Sequence, residues 1–248
     1  MSYNSMVAVC DILGYGDLVK SSSLMELKDF HMENIKNIMR SAISHFGENT
    51  ESPTPKEAFL NNLVGHTVFS DTIILFSLND DHDGYQNVLD AVYRLICVPM
   101  FHPFYKYRVG ISYGEFYHNP KENLYIGKAL VEANDLEKVQ QWSGAALSET
   151  AANKIKEEFP GKSMLVEYDA PIRLSSGSTH RKYSVVNWTL ATHSVKLENH
   201  NWMYREENGS EVHSYKDKDV EQKILNTEKF HSDICVQCKA ARSKRSNK

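Results

Sequence analysis

Apolar residues run almost unbroken from Met6 to Leu13, interrupted only by Asp11, and the run stops at Gly14-Tyr15-Gly16. A short, partly β-branched run ending on glycines predicts a buried strand entering a tight turn. From Leu24 to Phe46 the apolar positions change period, falling at Leu24, Leu27, Phe30, Ile35, Ile38, Ala42 and Phe46. That spacing marks one face of a long helix, which Gly47 and the polar stretch to Pro55 bring to an end. Two further runs, Leu63 to Phe69 and Thr72 to Leu78, are separated only by Ser70 and Asp71, the length of a two-residue hairpin loop with Asp71 at its tip. After a polar loop from Asn79 to Gly84, Val88, Ala91, Val92 and Leu95 give helical spacing to Tyr85–Ile96. Tyr107–Tyr117 alternates as a strand, Gly127–Gln140 reads as a helix, Gly144–Leu147 as a short strand, and Ser148–Phe159 as a helix opened by a serine. Strands over Leu165–Tyr168 and Lys182–Trp188 complete the set.

This order of elements predicts an α+β sandwich with a ferredoxin-like core, in which helices cover one face of a mixed sheet. The pattern supports one domain over residues 1–190. Beyond Thr189 the chain turns polar, and residues 191–248 form an extension whose weak stripe of Val220, Ile224 and Ile234 predicts a helix over 219–236. The basic end KAARSKRSNK is expected to be disordered.

Composition narrows this picture modestly. A chain of 248 residues that is 24% charged and 41% hydrophobic is an ordinary globule, and a net charge of −4 gives no general attraction to nucleic acid or membrane. Any phosphate ligand must therefore be held by local chemistry. No run of about 18 apolar residues spans a bilayer, and MSYNSMVAVCDIL lacks the basic and apolar regions of a signal peptide, so a cytoplasmic location is expected. Cys10, Cys97, Cys235 and Cys238 are too few and too scattered for a disulfide framework and read as reduced thiols. Cys235 and Cys238 form a lone CxxC near His231, short of the four ligands of a usual zinc site.

The residues that carry chemistry are Asp11 and Asp71. A carboxylate flanked by Val9, Cys10, Ile12 and Leu13 inside a strand bears a large desolvation cost unless it is paired or metal-bound. In a ferredoxin-like sheet the first strand and the hairpin after the helix can lie side by side, so both carboxylates would converge. Paired hard oxygens beside a turn of backbone N–H groups suit two Mg²⁺ or Mn²⁺ ions bridging a triphosphate. Asp17, and Asp71 taken in isolation, fit equally well as cap or turn formers.

The segments VAVCDILGYGDL, TVFSDTIILF, YRVGISYGEFY and LYIGKALVEANDLE resemble, in order and spacing, the catalytic domain of class III adenylate and guanylate cyclases, over roughly residues 6 to 190. The resemblance implies that Asp11, Asp71 and the carbonyl of Ile12 ligate the metal ions, and that amides at Leu13, Gly14 and Tyr15 hold phosphates. It also implies a homodimer with its sites at the interface. The departures matter as much. Thr67 stands where adenylate cyclases carry an adenine-reading lysine, and Val131 and Asp135 stand where the transition-state asparagine and arginine are expected. The altered helix is similar to that of the pyrimidine cyclases of the Pycsar antiphage system, which implies UTP or CTP as substrate. Replacement cations are sought in Lys128, Lys182 and Arg181, although a single lysine here also reads as a solvated surface charge. Arg108 reads as a structural ion-pair partner. Base contacts are sought at Thr67, Phe69 and Tyr15, although plain core is the stronger reading of Phe69. No nucleic-acid or membrane partner is expected. The rival reading is a catalytically degenerate cyclase-like domain that binds nucleotide or dimerises; a diguanylate synthase is disfavoured because VFSDTI lacks the glycines of that hairpin.

Overall fold

The computed structural model describes residues 4–30, 35, 42, 64–100, 106–161, 164–191, 204–205, 212–213 and 218–246. The chain opens with β1 (Asn4–Ile12), followed by the short helices α1 (Tyr15–Ser21) and α2 (Leu24–Phe30). The hairpin β2 (Val64–Phe69) and β3 (Thr72–Ser77) leads to the long helix α3 (His82–Met100). Next come β4 (Tyr107–Glu115), the small hairpin β5 (Tyr117–Asn119) and β6 (Leu124–Ile126), and helix α4 (Lys128–Val139). The domain closes with β7 (Gly144–Leu147), α5 (Glu149–Glu158) and the long hairpin β8 (Leu165–Leu174) and β9 (Gly177–Val186). A two-stranded pair, β10 (Tyr204–Arg205) and β11 (Val212–His213), precedes the C-terminal helix α6 (Lys218–Ser246).

Seven strands make one mixed sheet in the order β2-β3-β1-β4-β7-β9-β8, with β4 and β7 parallel and the other neighbours antiparallel. The α+β class with a mixed sheet is as expected. Helices cover both of its faces rather than one. Met6, Ala8, Cys10 and Ile12 of β1 pack with Val88, Leu89 and Val92 of α3, while Val7 points the other way and packs with Phe76, Phe116 and Ala129 at the start of α4. The reason lies in β1 itself, which is apolar at successive positions and so has two faces to bury. Glycine allows α4 its close approach. A Cβ on Gly110 of β4 would lie 2.1 Å from the carbonyl oxygen of Ala133 and 2.6 Å from the amide nitrogen of Glu137.

Several elements differ from the pattern reading. Where one long helix was expected from Leu24 to Phe46, the structure shows α2 over Leu24–Phe30; most of the rest of that run lies outside the described residues. The β5–β6 hairpin had no strong alternation to announce it, and its turn depends on Asn123 at φ 52°. The β8–β9 hairpin is longer than predicted: the first six residues of β9 are exposed and mostly polar, and β8 continues through the consecutively buried Ala170, Pro171 and Ile172, so neither stretch carries a period-two signal. The helix expected over 219–236 runs from Lys218 to Ser246, so most of the basic end continues the helix rather than being disordered.

Candidate active site

Asp11 sits one residue before the end of β1, directly opposite Arg108 on β4. Arg108 binds three acceptors. Its Nη2 donates to Asp11 Oδ2 at 3.2 Å, its Nη1 to the Gln140 carbonyl at 3.1 Å, and its Nε to the Glu137 carboxylate. Glu137 reaches this point because α4 lies so close on Gly110. The Arg108 reading as an ion-pair partner is therefore right, and its partner Asp11 is one of the two candidate ligands. Glu137 and Gln140 were missed by the sequence reading. The signal was present: Glu137 falls four residues after Ala133, so it lies on the buried stripe of Ala129, Ala133 and Leu136, where a charge needs a partner.

The β2–β3 turn brings in the second carboxylate. Ser70 takes a left-handed conformation, φ 56°, and Ile73 pairs with Cys10, so one further residue of β3, Thr72, leads to Asp71 in the turn beside the end of β1. The electrostatics record the meeting. Burial, and then the charge of Glu137, push the Asp11 carboxyl up from its ordinary 3.8 to about 7. Arg108 pulls in the opposite direction, and Asp71 raises Asp11 further through its charge and a hydrogen bond between the two side chains. A buried carboxyl raised toward neutrality, with a second carboxylate beside it, is a place where a cation can take the place of the proton. Among the described residues no group of three or more His, Cys, Asp or Glu is arranged to hold a metal. Two carboxylates with further oxygens from a triphosphate and water nonetheless suit the coordination of Mg²⁺ or Mn²⁺. The donor set thus fits a cation that arrives with its phosphate.

The other predicted residues divide by location. Ile12 is buried and closes β1 opposite Tyr107. The Leu13 N–H donates to the Lys106 carbonyl at 2.9 Å, so this amide is engaged within the fold. Gly14 follows at φ 79°, a left-handed turn that suits glycine, and Tyr15 opens α1 with its side chain packed against the main core. Behind this turn Lys106 is buried, its ammonium donating to the Pro99 carbonyl, and burial lowers its pKa to about 7. Thr67 and Phe69 lie on β2, and Phe69 is 83% exposed, so it is not core. Lys128 pairs with Glu115 at 2.8 Å and is 85% exposed. Glu115 lies opposite Asn4, at the other end of β4 from Arg108, a strand distance of about 23 Å. Lys182 pairs in register with Asp169 on the outer β8–β9 hairpin, and the Arg181 guanidinium lies 5.4 Å from the ring of Tyr183. A single subunit thus brings Asp11 and Asp71 together but not Lys128 or Lys182. Near the C terminus, Cys235 Sγ is 3.6 Å from His231 Nε2; the side chain of Cys238 lies outside the described residues.

No family model and no curated protein matches the chain. Solved structures do match in shape. The catalytic core of a rhodopsin-guanylyl cyclase with converted specificity, in complex with ATPαS, superposes with a TM-score of 0.52 at 13% identity, covering 75% of this chain and 96% of that one. This is the fold of a class III cyclase catalytic domain. An adenylate cyclase from Trypanosoma brucei in its monomeric state is also similar, with a TM-score of 0.49 at 12% identity over 74% of this chain and 88% of that one. An adenylate/guanylate cyclase/hydrolase from Silicibacter pomeroyi gives 0.43 at 13% identity over 75% and 98%. In this fold Asp11 lies near the end of the interior strand β1 and Asp71 in the turn of the adjoining β2–β3 hairpin. No described helix is long and apolar enough to cross a membrane.

Proposed function

We propose that the chain is a metal-dependent nucleotidyl cyclase that converts a pyrimidine nucleoside triphosphate, UTP ahead of CTP, into its 3',5'-cyclic monophosphate and pyrophosphate. The observation that carries this reading is the meeting of Asp11 and Asp71 at one end of a cyclase-fold sheet. Asp11, Asp71 and the Ile12 carbonyl would hold two Mg²⁺ or Mn²⁺ ions, which when bound supply positive charge to the triphosphate and ease loss of the 3'-hydroxyl proton. Arg108 keeps the Asp11 carboxylate oriented toward the sheet mouth. The turn at Gly14 and Tyr15 would cradle phosphate through its backbone. In-line attack by the 3'-oxygen on the α-phosphorus then expels pyrophosphate.

The remaining charge must come from elsewhere. Because Lys128 lies at the far end of β4 from Arg108, it could serve the chemistry of a partner subunit in a homodimer whose sites lie at the interface, and Lys182 is assigned the same role. Thr67 with exposed Phe69 offers a hydroxyl and a ring face to the base. A threonine hydroxyl both donates and accepts, so it suits the uracil or cytosine edge, whereas the adenine-reading lysine is absent. The likeness of the α4 motif to Pycsar enzymes supports assigning the product as a second messenger of antiphage defence in the cytoplasm, acting on its effector without protein contact.

Incubation with Mn²⁺ and each of the four ribonucleoside triphosphates, read by pyrophosphate release and product mass, is expected to give cyclic UMP or cyclic CMP. A purine product would remove the pyrimidine assignment. Val131 and Asp135 favour a second reading, a non-catalytic nucleotide-binding or dimerising domain, and absence of any product with retained nucleotide binding would establish it.

A further inference from the structure

The C-terminal helix α6 reaches the site without touching it. The turn Gln140–Ser143 joins α4 to β7, and its first carbonyl, that of Gln140, receives Arg108 Nη1. Inside the domain this turn is tied at several points. Gln140 Nε2 donates to the Val109 carbonyl at 2.8 Å, the Trp142 indole N–H donates to Gln140 Oε1 at 3.0 Å, and Ser143 Oγ donates to the Tyr107 carbonyl at 2.8 Å. Two backbone groups of the turn are left for α6. Asn226 Nδ2 donates to the Gln141 carbonyl at 2.6 Å, and Ser143 N–H donates to Thr227 Oγ1 at 2.8 Å. Gln141 and Ser143 are buried, so without α6 these groups would lose partners that water could not readily replace. The helix is anchored by Phe230, fully buried with its ring 4.7 Å from Trp142, 4.8 Å from Tyr168 and 5.5 Å from Trp188. Lys223, one turn before Thr227, adds its positive charge to the surroundings of Glu137. There burial raises the carboxyl's pKa while Arg108, Lys138 and Lys223 pull it down.

We propose that Asn226 and Thr227 are positioning residues, which clamp the Gln140–Ser143 turn and so fix the carbonyl that orients Arg108 and, through it, Asp11. The role of Arg108 in turnover rests on the cyclase reading; the clamp itself does not. The path is continuous, from α6 through the turn to the guanidinium and on to the carboxylate, with a hydrogen bond at each junction. A polar C-terminal extension is thereby part of the apparatus that holds the site.

The test uses the full chain carrying Asn226→Ala with Thr227→Val, which leaves Phe230 in place. Near-ultraviolet circular dichroism of Trp142 and Trp188 reports whether α6 stays docked. The exchange rate of the Arg108 Nε–H, read by ¹⁵N NMR, reports the clamp independently of turnover. The expected result is an unchanged tryptophan signature, Nε–H exchange roughly tenfold faster, and kcat for pyrophosphate release roughly tenfold lower with KM nearly constant. Thr227→Ser, which keeps the hydroxyl, should match the wild type in all three. Wild-type exchange and wild-type kcat in the docked double variant would overturn the proposal. Should the double variant lose its tryptophan signature, Asn226→Ala alone is judged by the same two readouts. A wild-type protein inert toward all four nucleotides would refute the cyclase reading, and the Arg108 exchange rate would still decide the clamp.

Discussion

Asp11 has a consequence for stability that is opposite in sign to the common behaviour of a paired carboxylate. Its pKa in the folded chain is about 7, against an ordinary value of 3.8, because burial and the charges of Glu137 and Asp71 outweigh Arg108. Below about pH 4 the group is protonated in both folded and unfolded chains and costs nothing. Between about 4 and 7 the folded chain retains a proton that the unfolded chain has released, so stability falls as pH rises across that window. Metal-free protein in chelator is therefore expected to unfold at lower denaturant concentration at pH 8 than at pH 5, and Asp11→Asn should shrink that difference. Equal pH dependence in wild type and variant would show that Asp11 is not the strained group. Arg108 joins three acceptors in this cluster, so loss of the guanidinium would leave Asp11 and Glu137 facing one another with no cation between them.

Among the elements, the contact of α4 with β4 decides whether the cluster assembles. Gly110 has no side chain because the backbone of α4 fills that space, and a methyl group there would overlap the Ala133 carbonyl. Gly110→Ala is expected to push α4 outward, to cost about 1–3 kcal/mol in chemical denaturation, and to loosen the Glu137–Arg108 pair. A neutral effect on stability would mean that the backbone of α4 does not fill the space beside Gly110. This packing also explains what was legible in the sequence. The apolar run of β1, the Ser70-Asp71 hairpin and the glycine-bounded strand and helix motifs announce themselves by period and punctuation, so the sheet and the Asp11–Asp71 pair were readable. Glu137 was not read because its charge falls among the many polar residues of an amphipathic helix, and only the three-dimensional approach at Gly110 distinguishes it. The expectation that Phe69 could be core failed for the same kind of reason: β2 is an edge strand, and an aromatic residue there need not be covered.

For the whole molecule, the sheet separates the candidate residues into two groups. Asp11, Asp71, Arg108 and Glu137 gather at one end, while Lys128 is tied to Glu115 at the other. In the proposed homodimer, a second subunit placed with the Lys128 end of one sheet against the carboxylate end of the other would unite them. The C-terminal helix is proposed to contribute from the rim; the weak stripe of Val220, Ile224 and Ile234 announced a helix, but no period marked Phe230 as its anchor. The proposed chemistry presupposes that the two aspartates form one cation site. Titration of the metal-free protein with Mn²⁺, followed by electron paramagnetic resonance in wild type and Asp71→Asn, addresses that directly. A shared cation site gives saturable binding that strengthens from pH 6 to pH 8 and weakens by more than roughly tenfold in the variant. Binding of equal strength in the two proteins would contradict it.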